Sequence, residues 1–218
     1  MDVRTFTVGP VQENAYLVRR EGSDRALLVD PGEEAPRLLD AIESLGVTLD
    51  GILITHTHFD HVGAVAPVAR ATGAEVWVPE IEREALADIT SFVPAEVAAA
   101  FGPFEGWEAE HTLRGGERLE LAGLEIDVLF TPGHSPGHLT FSIPAEEAIL
   151  SGDVLFEGSV GRTDLPGGDW PTLMESIRGL LDALPDETTV LPGHMGQTTL
   201  GAERASNPFL AELAPPRG

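Results

Sequence analysis

Four times in this chain an apolar run suited to a buried strand stops at a turn and hands over to histidine or aspartate. Gly51-Ile-Leu-Ile-Thr55 leads into His56-Thr-His58-Phe-Asp60-His61, and Asp127-Val-Leu-Phe-Thr-Pro-Gly leads to His134. Ala148-Ile-Leu-Ser-Gly ends at Asp153, and Thr189-Val-Leu-Pro-Gly ends at His194. Short apolar runs bounded by turn residues predict buried strands, and glycine lets the backbone turn sharply enough to aim the next side chain. Ligand-type residues at the ends of several strands share one rim, where open α/β sheets build their sites. The pattern predicts an α/β fold that gathers distant segments at one edge.

The remaining sequence fits that frame. Strands are expected at residues 5–8, 15–19, 26–30, 51–55, 75–78, 118–121, 124–130, 139–143, 148–151 and 188–191. Helical spacing of Leu38, Leu39, Ile42 and Leu45 predicts a helix over 33–45 stopped by Gly46, and a second is expected over 62–72 before Gly73. A third, over 170–184, is expected to be capped by Asp169 with Pro171 in its first turn. Residues 89–107 read as irregular and aromatic, and a short helical or irregular tail is expected after the last strand. No linker or short-period repeat divides the chain, so one domain over 1–218 is expected.

The histidines carry the chemistry. His56 and His58 are two apart on an extended segment and project to one side; Asp60 and His61 follow as the chain turns into a helix. A lone histidine is usually a satisfied core or surface imidazole, but this cluster of ligand types in six residues predicts metal binding. With His134 and His194 there are six terminal ligands, and Asp153 is a seventh able to bridge. Seven exceed the four of a closed structural zinc site and fit two metals with an open position between them.

Composition narrows the alternatives. A formal charge of −23 opposes long nucleic-acid partners. With no cysteine and no lysine, the chain has no thiolate nucleophile, disulfide or Schiff-base chemistry. No apolar run reaches the ~18 residues of a membrane span, and the opening Met1-Asp2-Val3-Arg4 predicts a strand rather than a secretory leader. A cytoplasmic protein is expected, with a homo-oligomer left open.

The His-x-His-x-Asp-His signature and the ordered Gly-His, Gly-Asp and Gly-His turns resemble the metallo-β-lactamase superfamily, and within it the glyoxalase II-like (hydroxyacylglutathione hydrolase-like) short hydrolases. The likeness runs from Asn14-Ala15-Tyr16 to Asn207-Pro208-Phe209. It implies a four-layer αβ/βα sandwich, two mixed β-sheets flanked by helices, with metals at one edge. Carried onto this sequence, one metal takes His56, His58 and His134, the other takes Asp60, His61 and His194, and Asp153 bridges. The implied function is a dinuclear hydrolase of small acyl thioesters, using zinc, or alternatively iron or manganese. Two cations ~3.5–4 Å apart would share a hydroxide that attacks the acyl carbon, with Asp60 and Asp153 as catalytic carboxylates.

Departures from the family refine this expectation. With few residues after His194, the C-terminal glutathione-binding helical domain of full-length glyoxalase II is not expected here. The lysines that grip the tripeptide there cannot exist here. True β-lactamases usually differ at the fourth element of the first motif or at the bridging position. A mononuclear iron persulfide dioxygenase is the main alternative, sharing the first motif and Gly161-Arg-Thr-Asp164 but diverging at Leu165-Pro-Gly-Gly and often carrying cysteine where His138 stands. A lactonase is a further alternative.

Other residues invite secondary roles. Asp30 is a candidate acceptor for a ligand imidazole N–H or an Asx turn, with Thr55 and Ser151 as similar candidates. His138 reads as a support outside the ligand set, and His111 as solvated. Arg162 and Asp164 read as a brace, with a substrate-anion contact by Arg162 as the sharper option. The aromatics from Phe92 to Trp107 either roof the cleft or pack as core.

Overall fold

The computed structural model describes residues 1–211, so residues 212–218, the end of the expected domain and tail, lie outside the described residues. Six consecutive strands form the first sheet: β1 (Asp2–Val8), β2 (Glu13–Arg19), β3 (Arg25–Val29), β4 (Thr48–Leu53), β5 (Val76–Pro79) and β6 (His111–Leu113). The first three pair antiparallel and the last four parallel, a mixed sheet. Between them run α1 (Ala35–Leu45), the single turn α2 (Phe59–Val62) and α3 (Val65–Thr72), then α4 (Arg83–Ala87), α5 (Ile89–Phe92) and α6 (Ala95–Phe101).

The second sheet contains β7 (Arg118–Leu121), β8 (Leu124–Phe130), β9 (Leu139–Ile143) and β10 (Ala148–Gly152). A small hairpin of β11 (Leu155–Phe156) and β12 (Ser159–Val160) precedes α7 (Trp170–Ala183). α7 returns the chain to β13 (Thr189–Pro192), parallel to β10, and β14 (Thr198–Thr199) completes the edge before α8 (Leu200–Ser206). The expected cap is present, with Asp169 accepting from the Thr172 N–H at 3.0 Å.

Alternation along the strands builds the layers. In β3, Ala26 and Leu28 face α1 and α3, while Leu27 and Val29 face the other sheet. In β10 and β13, Leu150 and Leu191 face inward, while Ile149 and Val190 pack on Leu173, Ile177 and Leu180 of α7. Helix, sheet, sheet and helix therefore enclose three apolar layers, the four-layer αβ/βα sandwich expected. Phe141, fully buried between the sheets, is the sort of side chain whose truncation to alanine costs ~3–5 kcal/mol.

The structure departs from expectation in three places. Residues 89–107 contain two short helices: Asp88 caps α5 through the Ser91 N–H, and the alanine-rich α6 follows Pro94. The helix expected over 62–72 breaks at Gly63-Ala64, where the Ala64 N–H turns to Pro31 O at 2.9 Å. His111 lies in β6, its ring stacked on Trp77 with centroids 4.3 Å apart and its Nε2 2.6 Å from Glu75. A three-residue strand is too short to show a period.

Candidate metal centre

Parallel strands put their carboxyl ends on one rim. β4 ends at Leu53, and Ile54-Thr55 carry the chain to His56 and His58; α2 then presents Asp60 and His61. His134 lies in the β8–β9 loop, Asp153 just past β10 and His194 just past β13. Each sheet thus contributes part of the site, which sits at the seam between them.

The sequence-expected residues converge as two groups. His56 Nε2, His58 Nδ1 and His134 Nε2 lie 3.1, 3.2 and 2.8 Å apart pairwise. Asp60 Oδ2 is 3.2 Å from His194 Nε2 and 3.9 Å from His61 Nε2. Between the groups stands Asp153: Oδ1 is 3.4 Å from His61 Nε2, and Oδ2 is 3.5 Å from His134 Nε2 and 3.6 Å from His194 Nε2. All seven are brought together.

Hydrogen bonds on the far side of four of the rings fix which nitrogen points inward. His134 Nδ1 donates to Arg162 O at 2.8 Å, and His194 Nδ1 to Gln12 O at 3.2 Å. His61 Nδ1 donates to Asp30 Oδ2 at 3.0 Å. His56 Nδ1 donates to Thr55 Oγ1 at 3.0 Å, and that hydroxyl passes its own proton to Asp30 Oδ2 at 2.6 Å. Asp30 Oδ1 also accepts the Thr55 N–H at 2.8 Å, so Asp30 holds both the first histidine segment and His61. Both its oxygens are therefore engaged, although Asp30, His56 and His61 also lie within ligand distance of one another.

The donor set fits a pair of cations. Three imidazole nitrogens with inward lone pairs cannot satisfy one another, and His61 Nε2 and Asp153 Oδ1 are buried without a hydrogen-bond partner. Such unpaired groups are costly inside a protein unless an ion completes them. Gly193 keeps the cradle open, since a Cβ there would sit 2.3 Å from Asp153 Oδ1 and 2.7 Å from His61 Cε1. Burial holds His56 well below the usual imidazole range, and burial together with neighbouring His134 pushes His58 down to about 4. Burial disfavours charge on His61 too, but the Asp153 and Asp60 carboxylates outweigh it and raise its value well above normal. Asp153 is pulled far below the carboxylate range, His61 overcoming the upward push of burial.

Several supports have defined contacts. His138 Nε2 accepts the Asp153 N–H at 3.0 Å while its Nδ1 faces Thr131 Oγ1 at 3.1 Å, so it holds the aspartate's backbone and lies outside the two groups. Ser151, unlike Thr55, touches no ligand side chain; its hydroxyl donates to Leu155 O at 3.2 Å. Arg162 and Asp164 form a two-pronged pair with both contacts at 2.7 Å, which lowers Asp164 to about 2. Of the aromatics, Phe104 and Trp107 pack onto the helix-covered face of the first sheet, and Phe101 and Phe104 lie against Phe59 with centroids 5.0 and 5.8 Å away.

Two buried carboxylates near the centre were not anticipated. Glu13 opens β2, 3.8 Å from His61 Nδ1, with neither oxygen hydrogen-bonded; burial pushes its carboxyl well above the usual range. Glu82 is 6% exposed and lies between the His56–His58 segment and the His134 loop. Neither stands out in sequence, because each sits among other polar residues with no ligand spacing.

The sequence pattern of the metallo-beta-lactamase superfamily matches residues 8–194. The hydroxyacylglutathione hydrolase GloC of Haemophilus influenzae is 37% identical over 96% of this chain and 98% of its own. The crystal structure of TTHA1623 in a di-iron-bound form superimposes with a TM-score of 0.85 at 42% identity, covering 95% of this chain and 100% of that one. That of the BLEG-1 B3 metallo-beta-lactamase gives 0.89 at 36% identity, covering 96% and 100%.

Proposed function

Because the chain belongs to the metallo-β-lactamase superfamily, a family of metal-dependent hydrolases, we propose that it is a single-domain, dinuclear hydrolase of small acyl thioesters. The observation that carries this reading is the pair of convergent donor groups with Asp153 between them. His56, His58 and His134 would hold one divalent cation; Asp60, His61 and His194 would hold the other; Asp153 would touch both. When bound, such cations supply Lewis acidity toward an acyl carbonyl and a water acidic enough to attack near neutral pH.

The chain's own residues prepare that chemistry. Asp30, Thr55, Arg162 O and Gln12 O hold four rings with lone pairs turned inward. Asp153 places one negative charge between the groups, and Asp60, 3.2 Å from His194 Nε2, would chiefly hold the second cation and would also orient the attacking water. A thioester suits this centre because its thiolate leaves without needing a strong general acid. The Haemophilus relative, a hydroxyacylglutathione hydrolase, supports the same bond type. An acyl thioester of glutathione is a weak substrate on this reading, since the chain has no lysine and Arg162 is paired to Asp164. No helix among the described residues is long and apolar enough to cross a membrane, which accords with a cytoplasmic enzyme.

The test is metal analysis of protein purified without chelators, with a panel of acyl thioesters, a β-lactam and a glutathione persulfide. Two equivalents of metal, zinc being the expected ion, and thioester turnover are expected. One metal per chain with oxygen uptake on the persulfide overturns the reading, as does β-lactam hydrolysis faster than any thioester's.

A further inference from the structure

Glu82 occupies a place that no ligand pattern marks. It lies on the short 3-10 turn Glu80–Glu82 after β5, and it is buried. Its Oε2 accepts the Thr57 N–H at 2.7 Å and the Thr57 hydroxyl at 2.9 Å. Its Oε1 accepts the Ser135 hydroxyl at 2.5 Å and the Gly137 N–H at 2.8 Å. Thr57 is the residue between His56 and His58, and Ser135 is the residue after His134. One carboxylate therefore grips both loops that supply the three-histidine group, although the loops come from different sheets.

The geometry suits a side chain with two acceptor oxygens. Each oxygen takes one rigid backbone N–H and one rotatable hydroxyl, so the two loops are tied by equivalent pairs of bonds. Hydrogen bonds to an ionised acceptor are the stronger kind. Gly137 permits the approach, because a Cβ there would lie 2.8 Å from Glu82 Cγ. The third imidazole reaches the other two only if the loops hold this separation: His134 Nε2 is 2.8 Å from His58 Nδ1.

We infer that Glu82 is a positioning residue that sets the spacing of His56 and His58 against His134, and so the affinity of that group for its cation. The inference rests on the metal assignment proposed above. Glu82 does not touch Asp60, His61 or His194, so its effect is confined to one of the two ions. Glu82→Gln keeps the side chain's shape but replaces one acceptor with an NH2 group. Whichever way the amide turns, the Thr57 or the Gly137 backbone N–H then faces a donor.

The experiment is titration of chelator-stripped protein with zinc alone, against a competing chromophoric chelator, for wild type, His58→Ala and Glu82→Gln. Wild type is expected to bind two equivalents and His58→Ala to lose one; failure of either result counts against the metal assignment itself. Given both, Glu82→Gln should weaken one equivalent by ~10–100-fold, the usual effect of disturbing what orients a ligand, and leave the other unchanged. Equal affinities to wild type at both sites overturn the inference, as does parallel weakening of both sites, which a general loss of stability produces. Should Glu82→Gln fail to fold, Ser135→Ala and Thr57→Val each remove one hydroxyl donor and leave the backbone bonds. Each should then weaken the same equivalent about fivefold, near the worth of one ordinary hydrogen bond, and no change in either variant overturns the inference.

Discussion

Replacing Asp153 by asparagine should damage the centre far more than replacing His138 by alanine, although the two residues touch. Asp153 lies 3.4 Å from His61 Nε2, 3.5 Å from His134 Nε2 and 3.6 Å from His194 Nε2, so its charge acts on both donor groups at once. At an effective dielectric of about 20, a unit charge ~4 Å from another is worth about 4 kcal/mol, or about a thousandfold in an equilibrium constant. A divalent ion feels at least that much, and the amide nearly preserves shape, so the charge is what the variant removes. Asp153→Asn should therefore bind at least one metal ~10³-fold more weakly, with kcat/KM falling by a similar factor. His138→Ala leaves the carboxylate in place but deprives the Asp153 N–H of its acceptor, 3.0 Å away. That orphaned donor should cost ~1–3 kcal/mol of stability and only ~10–100-fold in metal affinity or activity. The assay is chelator-competition affinity, metal content and kcat/KM for both variants, with thermal unfolding of the metal-free proteins run alongside. Asp153→Asn holding two metals within tenfold of wild type, or His138→Ala losing the greater affinity, refutes the reasoning.

Gly193→Ala should displace Asp153 and His61, because the new Cβ would lie 2.3 and 2.7 Å from their atoms; overpacking of this kind costs ~1–3 kcal/mol, and unfolding together with metal content will show whether both fall. Asp30→Asn should weaken chiefly the ion held with His61, by ~10–100-fold, since an amide NH2 facing His61 Nδ1, now 3.0 Å from a carboxylate oxygen, favours the wrong tautomer; unchanged two-site affinity contradicts this. In metal-free protein the His58 imidazole should titrate near about 4, as followed by NMR. Its folded value lies below the ordinary 6.5, so the unfolded chain binds more protons in that interval. His58's contribution to stability is thus full above pH 6.5 and is lost as pH falls toward about 4, and a His58 resonance that titrates near its ordinary value contradicts the assignment.

The strands that carry ligands were the most legible part of the chain, because a buried strand writes itself as a continuous apolar run and the ligand follows at its end. Asp30 and His138 could be named as supports, since one closes a strand and the other sits in a histidine loop, but their partners could not. That the Asp30 carboxylate reaches both Thr55 and His61 depends on β3 lying beside β4. Glu82 was invisible for a sharper reason. In Val-Pro-Glu-Ile-Glu-Arg-Glu it reads as one of several solvated charges, and only tertiary packing selects it for burial. The helices α5 and α6 were obscured by the prolines, glycines and aromatics around them, whereas β6 offers three residues, fewer than any period needs.

The first sheet is made of strands consecutive in the chain, and the second only of strands that follow. The ribosome therefore releases this protein one leaf at a time, amino-terminal leaf first. When β6 emerges, His56, His58, Asp60 and His61 have all been made, with nothing yet opposite them. Their counterparts then appear in a set order: His134, Asp153 and finally His194. On the proposed assignment the three-histidine cradle has all its ligands while the second still lacks its last.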